Sequence, residues 1–389
     1  MKKLLLNALA FCAMSAMLFT SCENNVNDDN DQPSANELSG AITSVKELDA
    51  NVTYTLNGTV TVEEGGELVI PAGTVIKCRK GFSNYLLVLP GGKIMAEGTA
   101  EKPIVFTADV ENAGSGYWGG IIINGKAPIS GAEKYSTALT EVNNAYIYGG
   151  NDAEDNSGVL KYVKIEYAGA RSTAEVEHNG LTLNAVGNGT VIENIYVLES
   201  ADDAIEFFGG SVNVTNLLAV NSDDDMFDFT QGYTGTLKNC YGVWAKGYTS
   251  TESDPRGIEA DGNFDGMGPD HVDQSNFKVE NMTVDLRLDY SDAEGSYMHD
   301  VIKLRRGATA NITNALLKGV GAYKDIIDLT DGKGDGTEQS SISISNENTG
   351  TALGKEINIT DGKSYPNVKV EAGNTGCDAT LFGWTGYAL

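Results

Sequence analysis

The sequence predicts an all-β solenoid, a parallel β-helix with about 22 residues per coil. Three observations predict it. Glycine is abundant and proline scarce, 46 against 8, and the apolar residues fall in short β-branched runs instead of at helical spacing. A motif of apolar residue, any residue, asparagine and strand recurs at VIENIYVLES, VTNLLAVNS, LKNCYGVWA, VENMTVDL and ITNALLKG. A second strand motif follows each of these, and in it charged and apolar residues alternate.

The asparagines of the first motif are Asn194, Asn216, Asn239, Asn281 and Asn314. The first two gaps match one coil; the later two, 42 and 33 residues, fit two coils or one coil with an insertion. Asparagine suits a fixed corner because it tolerates a left-handed bend and its amide can bond its counterpart on the next coil. A single coil cannot bury its inner face, so coils must stack to make a continuous core.

The second motif reads DDAIEF, DDMFDF, PRGIEA, HDVIKL and KDIIDL. Period-two alternation sends Ile205/Phe207, Phe227/Phe229, Ile258/Ala260, Ile302/Leu304 and Ile327/Leu329 inward. Glu206, Asp228, Glu259, Lys303 and Asp328 then face outward. Asp203, Asp225, Arg256, Asp300 and Asp325 stand at the strand starts, which gives two charged columns on one face.

Around these motifs the chain orders itself from end to end. Residues 1–21 begin with Lys2 and Lys3, continue through an apolar run from Leu4 to Leu18, and read as a secretory signal. No other run is long and apolar enough to cross a bilayer. The LFTSC stretch resembles a bacterial lipobox, and the resemblance implies a lipid on Cys22, which anchors without spanning. Residues 22–39 are polar and acidic and read as a flexible tether. Residues 40–389 form a single β-helix domain with an N-terminal cap, in which LVIPAGTVIK, LPGGKIMAEGTAEKPIVFTA, WGGIIINGKAPIS and GVLKYVKIEYAG are early coils. Residues 131–158 should loop out, and residues 246–276 read as a long loop over one face. The terminal LFGWTGYAL places Phe382, Trp384 and Tyr387 to close the open end of the core.

Formal charge is −27. So acidic a surface repels nucleic acid and anionic lipid and favours cations. Beyond Cys22, the cysteines Cys78, Cys240 and Cys377 are an odd set with no closed disulfide framework, and Cys240 sits in an apolar strand pattern.

The stretches GGKIMAEGTAEKPIVFTA, WGGIIINGKAPI, GVLKYVKIEYAG, DDAIEFFGG and DDDMFDF together resemble a family of Bacteroidetes-type surface lipoproteins with right-handed parallel β-helix folds. The resemblance covers nearly all of the chain after Cys22. It implies a lipid-anchored protein on the outer membrane facing the cell exterior; an acidic segment behind the lipidated cysteine fits that address. It carries no agreed activity and no catalytic motif.

Three uses of the charged face follow from the residues. Equivalent side chains on neighbouring coils lie about 4.8 Å apart, where like charges repel by roughly 3 kcal/mol at an effective dielectric near 20. A hard cation such as Ca²⁺ would relieve this, with Asp202, Asp203, Glu206, Asp223, Asp224, Asp225 and Asp228 as oxygen donors. Otherwise these aspartates cap turns and the outward acids are simply solvated. The second use is polysaccharide hydrolysis or lyase chemistry, as on pectin-lyase-like β-helices. Asp203, Asp224 and Asp225 would then be acids, and Arg256, Lys303, Arg305 or Arg306 the base of an elimination. His178, His271 and His299 lie outside the aligned motifs and read as structural. The third use is non-catalytic binding of a polysaccharide or cell-surface glycan by Glu206, Asp228 and Glu259, with Tyr233, Trp244, Tyr248 and Phe264 stacking on sugar rings. A purely architectural adhesin is the remaining alternative.

Overall fold

The structure, a computed structural model, describes residues 35–173, 176–290, 293 and 295–389. The expected signal peptide, Cys22 and residues 22–34 of the tether lie outside the described residues. The fold begins at Glu37–Ile42, whose Leu38 is already buried, so ordered strand starts inside the segment read as tether. No helix among the described residues is long and apolar enough to cross a membrane.

The chain winds as a right-handed parallel β-helix, the hand that parallel crossovers take from strand twist. Two ladders of parallel strands carry the later coils, the first from residue 158 onward and the second from residue 121. The first, a corner ladder, stacks long strands: Gly158–Glu166, Val191–Leu198, Asn213–Val220, Thr236–Trp244, Asn276–Leu286, Thr309–Gly319, Ser341–Asn346 and Val368–Val370. The second, a site ladder, stacks Ile121–Asn124, Leu181–Asn184, Ile205–Phe208, Phe227–Thr230, Arg256–Asp261, Tyr297–Arg305 and Ala322–Asp328.

The asparagine corner forms as the spacing requires. Asn194, Asn216, Asn239, Asn281 and Asn314 all have φ between 53° and 60°. Each amide donates to the side-chain oxygen of the one before it, at 2.8–2.9 Å. The strands bearing Asn239 and Asn281 pair directly, as do those bearing Asn281 and Asn314, so each long gap is one coil with an insertion.

The inward residues make one continuous core. Phe207, Phe229 and Phe277 stack with centroids 5.0 and 4.2 Å apart, and Tyr233 closes on Phe207 at 4.4 Å. Tyr233 and Trp244 therefore belong to the core, not to a sugar platform: both are fully buried. Their polar ends bond backbone carbonyls, Tyr233 Oη to Val212 O at 2.7 Å and Trp244 Nε1 to Ser222 O at 3.0 Å. Cys78, Cys240 and Cys377 are free and buried.

The insertions depart from the sequence reading in detail. Residues 246–276 are two segments, because Arg256–Asp261 between them pairs on both sides as a site strand. The excursion at 131–157 carries a small hairpin, Ala138–Leu139 against Ile147–Tyr148. The C-terminal segment does not plug the end of the core. Its 3₁₀ helix, Ala379–Thr385, straps the outer flank of the corner ladder, with Phe382 against Leu218, Tyr241 and Val243. Those outward positions are apolar, so the strap removes them from water. Lys164 Nζ and Arg287 Nη1 tie it down through Thr385 O and Ala388 O.

Candidate functional site: an acidic cleft on the outer face

The outward column runs in register Leu87, Ile122, Thr182, Glu206, Asp228, Glu259, Lys303, Asp328. The strand-start column pairs Arg256 with Asp300 and Asp300 with Asp325, and the Asp225 N–H donates to Asp203 Oδ1 at 2.9 Å. Gly209 and Gly210 end the strand after Glu206 at φ +68° and +79°. A Cβ on Gly210 would lie 2.5 Å from Val186 O, so the turn excludes any larger residue.

The acids face away from the core but are not solvated. Asp228 is 8% exposed and Asp225 2%. Insertions wall the face on two sides. On one, Thr251 and Tyr248 bond Asp223, and Arg171 pairs with Glu177, Glu252 and Asp202. On the other stands the turn Phe264–Gly266, whose Asp265 is held by Arg306 and Lys333. The result is a cleft of about 510 Å³ floored by Asp203, Glu206, Asp224, Asp225, Asp228 and Glu259.

Carboxylate oxygens in three overlapping groups lie within 4.8 Å of one another: Asp202, Asp203 and Asp224; Asp203, Glu206 and Asp228; Asp225, Asp228 and Glu259. Basic residues serve the edges. Arg256 pairs with Glu259 at 2.5 Å and with Asp300 at 3.4 Å. Arg305 pairs with Glu259 and with Asp261 at 2.6 Å, and Lys303 with Asp328 at 2.7 Å. Among the described residues, Asp203, Glu206, Asp224, Asp225 and Asp228 make no ion pair. Buried oxygens of Asp224, Asp225 and Asp228 also lack any hydrogen-bond donor. Asn179 does bond the first two acids of the string, donating to Glu206 Oε2 at 2.6 Å and accepting from Asp203 N–H at 3.2 Å.

Burial pushes every one of these carboxyls up, and neighbouring acids add to it. Asp224 is raised from 3.8 to about 8, by burial first and then by the Glu259 charge, with Arg256 opposing. Glu206 is raised by burial and by Asp228 beside it. A string of carboxyls crowded beyond their own charge tolerance either keeps protons or holds a cation. The donor set, all oxygen and flexible in denticity, fits a hard divalent ion of the Ca²⁺ type.

Several sequence-predicted residues take other roles. Asp223 is an anchor for the 246–255 segment, saturated by Thr251 and Tyr248. Lys303 and Arg305 are locked in ion pairs, which removes them as free bases. His178 is buried against Phe82 and Tyr85, and burial lowers it to about 4, so it is neutral. His299 lies between Lys324 and Asp300 and is structural as well. Of the proposed aromatic platform, Tyr248 is taken up by Asp223 and only Phe264 reaches the cleft. Sequence reasoning missed Asn179 and Arg171. Asn179 was findable, since HNGLTLN repeats the site-strand alternation one coil earlier; Arg171 sits in an insertion with no period to mark it.

Fold and cleft define a parallel β-helix protein with a buried acidic site on an outer strand face. A family model described as pectate-lyase like beta helix domain matches residues 40–385, and the chain belongs to that family. Searches of curated proteins and of solved structures return no match. Membership is compatible with a carbohydrate-related role, whether binding or enzymatic.

Proposed function

We propose that the cleft binds a divalent cation, Ca²⁺ first among candidates, and through it a polysaccharide, on a lipoprotein displayed at the cell surface. One observation carries this reading: five adjacent carboxyls, Asp203, Asp225 and Asp228 buried and Glu206 and Asp224 half-buried, make no ion pair, while Asp202, Glu259 and Asp261 beside them each do. A protein that needed only solubility would leave such residues in water, where they cost nothing. A cation would bond the orphaned oxygens and leave coordination positions for sugar hydroxyls or a uronate carboxylate. The anchor rests on the sequence alone, on Lys2, Lys3, the apolar run to Leu18 and the cysteine at 22.

Calorimetric titration with Ca²⁺, then with oligogalacturonate in its presence and absence, tests the proposal. Saturable Ca²⁺ binding that Asp228→Asn weakens, with sugar binding lost in EDTA, is the expected result. No heat from millimolar Ca²⁺ would sink it.

A second reading, hydrolysis, is favoured by Asp224. A carboxyl raised to about 8 is protonated at neutral pH, as a general acid must be. Neighbouring carboxyls here are closer than the roughly 6.5–9.5 Å that inverting hydrolases leave for a water, so a retaining geometry is the one to test. Release of reducing ends from a polysaccharide panel decides between the two.

A further inference from the structure

The acidic cleft adjoins a second hollow of about 320 Å³, and the two share Glu141, Glu177, Phe208 and Phe264 as walls. The outward column explains where it ends. Leu87 and Ile122 stand on the same face as Glu206, yet Leu87 is fully buried and Ile122 is 2% exposed. They are covered by the 131–149 excursion, whose Val142 and Tyr146 pack on them. That excursion then crosses the face. Its Glu141 Oε1 accepts from the Glu177 N–H at 3.3 Å, and Glu177 belongs to the insertion on the opposite side. The two insertions thus meet above Thr182. A chain lying along the acidic cleft reaches this crossing, whose Glu141 and Glu177 line both hollows.

The second pocket differs in chemistry from the cleft. Its lining contains no lysine or arginine. It presents Phe208, with Tyr148 and Phe264 tilted against it at 6.4 and 6.3 Å, and beside them Thr140, Asn179, Thr182 and Asn184. The aromatic rings fit an apolar group; the amides and hydroxyls fit sugar oxygens or an amide. A uronate carboxylate would find no cation there and would face Glu141 and Glu177. The volume is at the small end of the roughly 300–1,000 Å³ of ligand pockets, enough for a residue or two and not for a chain.

Building on the cleft as a polysaccharide site, we propose that this pocket takes the terminal residue of the glycan, and that this residue is uncharged and carries a methyl group. The protein then reads chain ends, with the anionic or hydroxyl-rich part of the chain trailing into the cation-binding cleft. A 6-deoxy sugar and an acetamido sugar share that chemistry, so both are probes.

The test is saturation-transfer NMR on the full soluble chain with methyl α-rhamnoside, methyl N-acetyl-β-glucosaminide and, as control, methyl α-galacturonide. Saturation of at least one of the first two, strongest on the rhamnoside C6 methyl or on the acetamido methyl, with no saturation of any uronide proton, is expected; which one responds separates deoxy from acetamido recognition. Leu139→Trp, on the exposed hairpin, and Thr182→Trp, on the floor, should each weaken that binding by at least about tenfold. Leu139→Trp, remote from the acids, should leave Ca²⁺ titration unchanged, which also shows that this variant folds; for Thr182→Trp an unchanged thermal melt in EDTA shows the same. No saturation of either methyl glycoside, equal saturation of the uronide, or unaltered binding in both plugged variants overturns the proposal. Failure here with Ca²⁺ binding intact leaves the cleft reading standing; loss of Ca²⁺ binding with the methyl glycoside still bound removes the cleft reading instead.

Discussion

Replacing Asp228 with asparagine should stabilise the protein without divalent cation and abolish the stabilisation that Ca²⁺ confers. Asp228 belongs to two of the acid groups, so its oxygens lie within 4.8 Å of those of Asp203, Glu206, Asp225 and Glu259. Two full charges at that distance repel by about 3.5 kcal/mol at an effective dielectric near 20. The fold limits this cost by keeping protons. Keeping a carboxyl neutral above its ordinary value costs about 1.36 kcal/mol for each tenfold fall in proton activity. Burial and the surrounding acids raise Asp228, so the folded state binds more protons than the unfolded one between the two values. Its contribution is fully present below about pH 4 and falls away as pH rises. Asparagine keeps the volume and never ionises. With part of the gain lost to imperfect amide bonding, about 1–3 kcal/mol should remain at pH 8, a rise in Tm of a few degrees. Ca²⁺ at a hundred times its Kd should stabilise the wild type by about 2.7 kcal/mol and the variant by far less. Thermal melts at pH 5 and pH 8, in EDTA and in Ca²⁺, read all of these. A variant less stable than wild type in EDTA at pH 8, with an undiminished Ca²⁺ response, would refute the reasoning.

Other perturbations test the frame. Asn239→Ala removes one side-chain bond donated to Asn216 and one accepted from Asn281, and forces alanine to φ 56°; about 2–4 kcal/mol should be lost in urea denaturation, and Asn239→Gly should recover the backbone part. Phe229→Ala opens the stack between Phe207 and Phe277 and should cost about 3–5 kcal/mol by the same assay. Tyr233→Phe should cost about 1 kcal/mol through the lost bond to Val212 and leave Ca²⁺ binding unchanged, because the ring is in the core. Deleting 379–389 uncovers Leu218, Tyr241 and Val243 and should appear as increased binding of a hydrophobic dye with little change in Ca²⁺ affinity.

What could be read from the sequence is what repeats. The asparagine corner and the Glu206–Asp228–Glu259–Lys303–Asp328 column were legible because a coil repeats its backbone, and period-two alternation fixes which residues face out. The burial of that column was not legible, because it comes from insertions at 131–157, 171–177, 246–255 and 262–275 that carry no period. Tyr233 and Trp244 were misplaced for a related reason. Each lies at or just beyond a strand end, where the alternation that assigns inside and outside has run out, and a tyrosine or tryptophan is equally at home with a backbone carbonyl in the core. The strap was misread because an apolar tail has two places to go, and the outward apolar residues Tyr196, Leu218 and Tyr241 pointed to the flank.

The distribution of arginine argues for function in the middle of the column. Arg171, Arg256, Arg305 and Arg306 all reach acids at the edges of the cleft, and each pairs with more than one. The fold therefore has the means to neutralise stacked carboxylates and applies it at Glu259, Asp261 and Asp202, then stops. The Glu259 column position is followed one coil later by Lys303, so a basic residue fits the same outward site without disturbing the inward Ile258/Ile302 pair. Lysine in place of Asp228 would meet the same backbone and relieve two of the three acid groups at once. That aspartate stands there, above the Phe207/Phe229 stack that helps the coil bear the cost, makes the unpaired charge a property of the site and not of the fold.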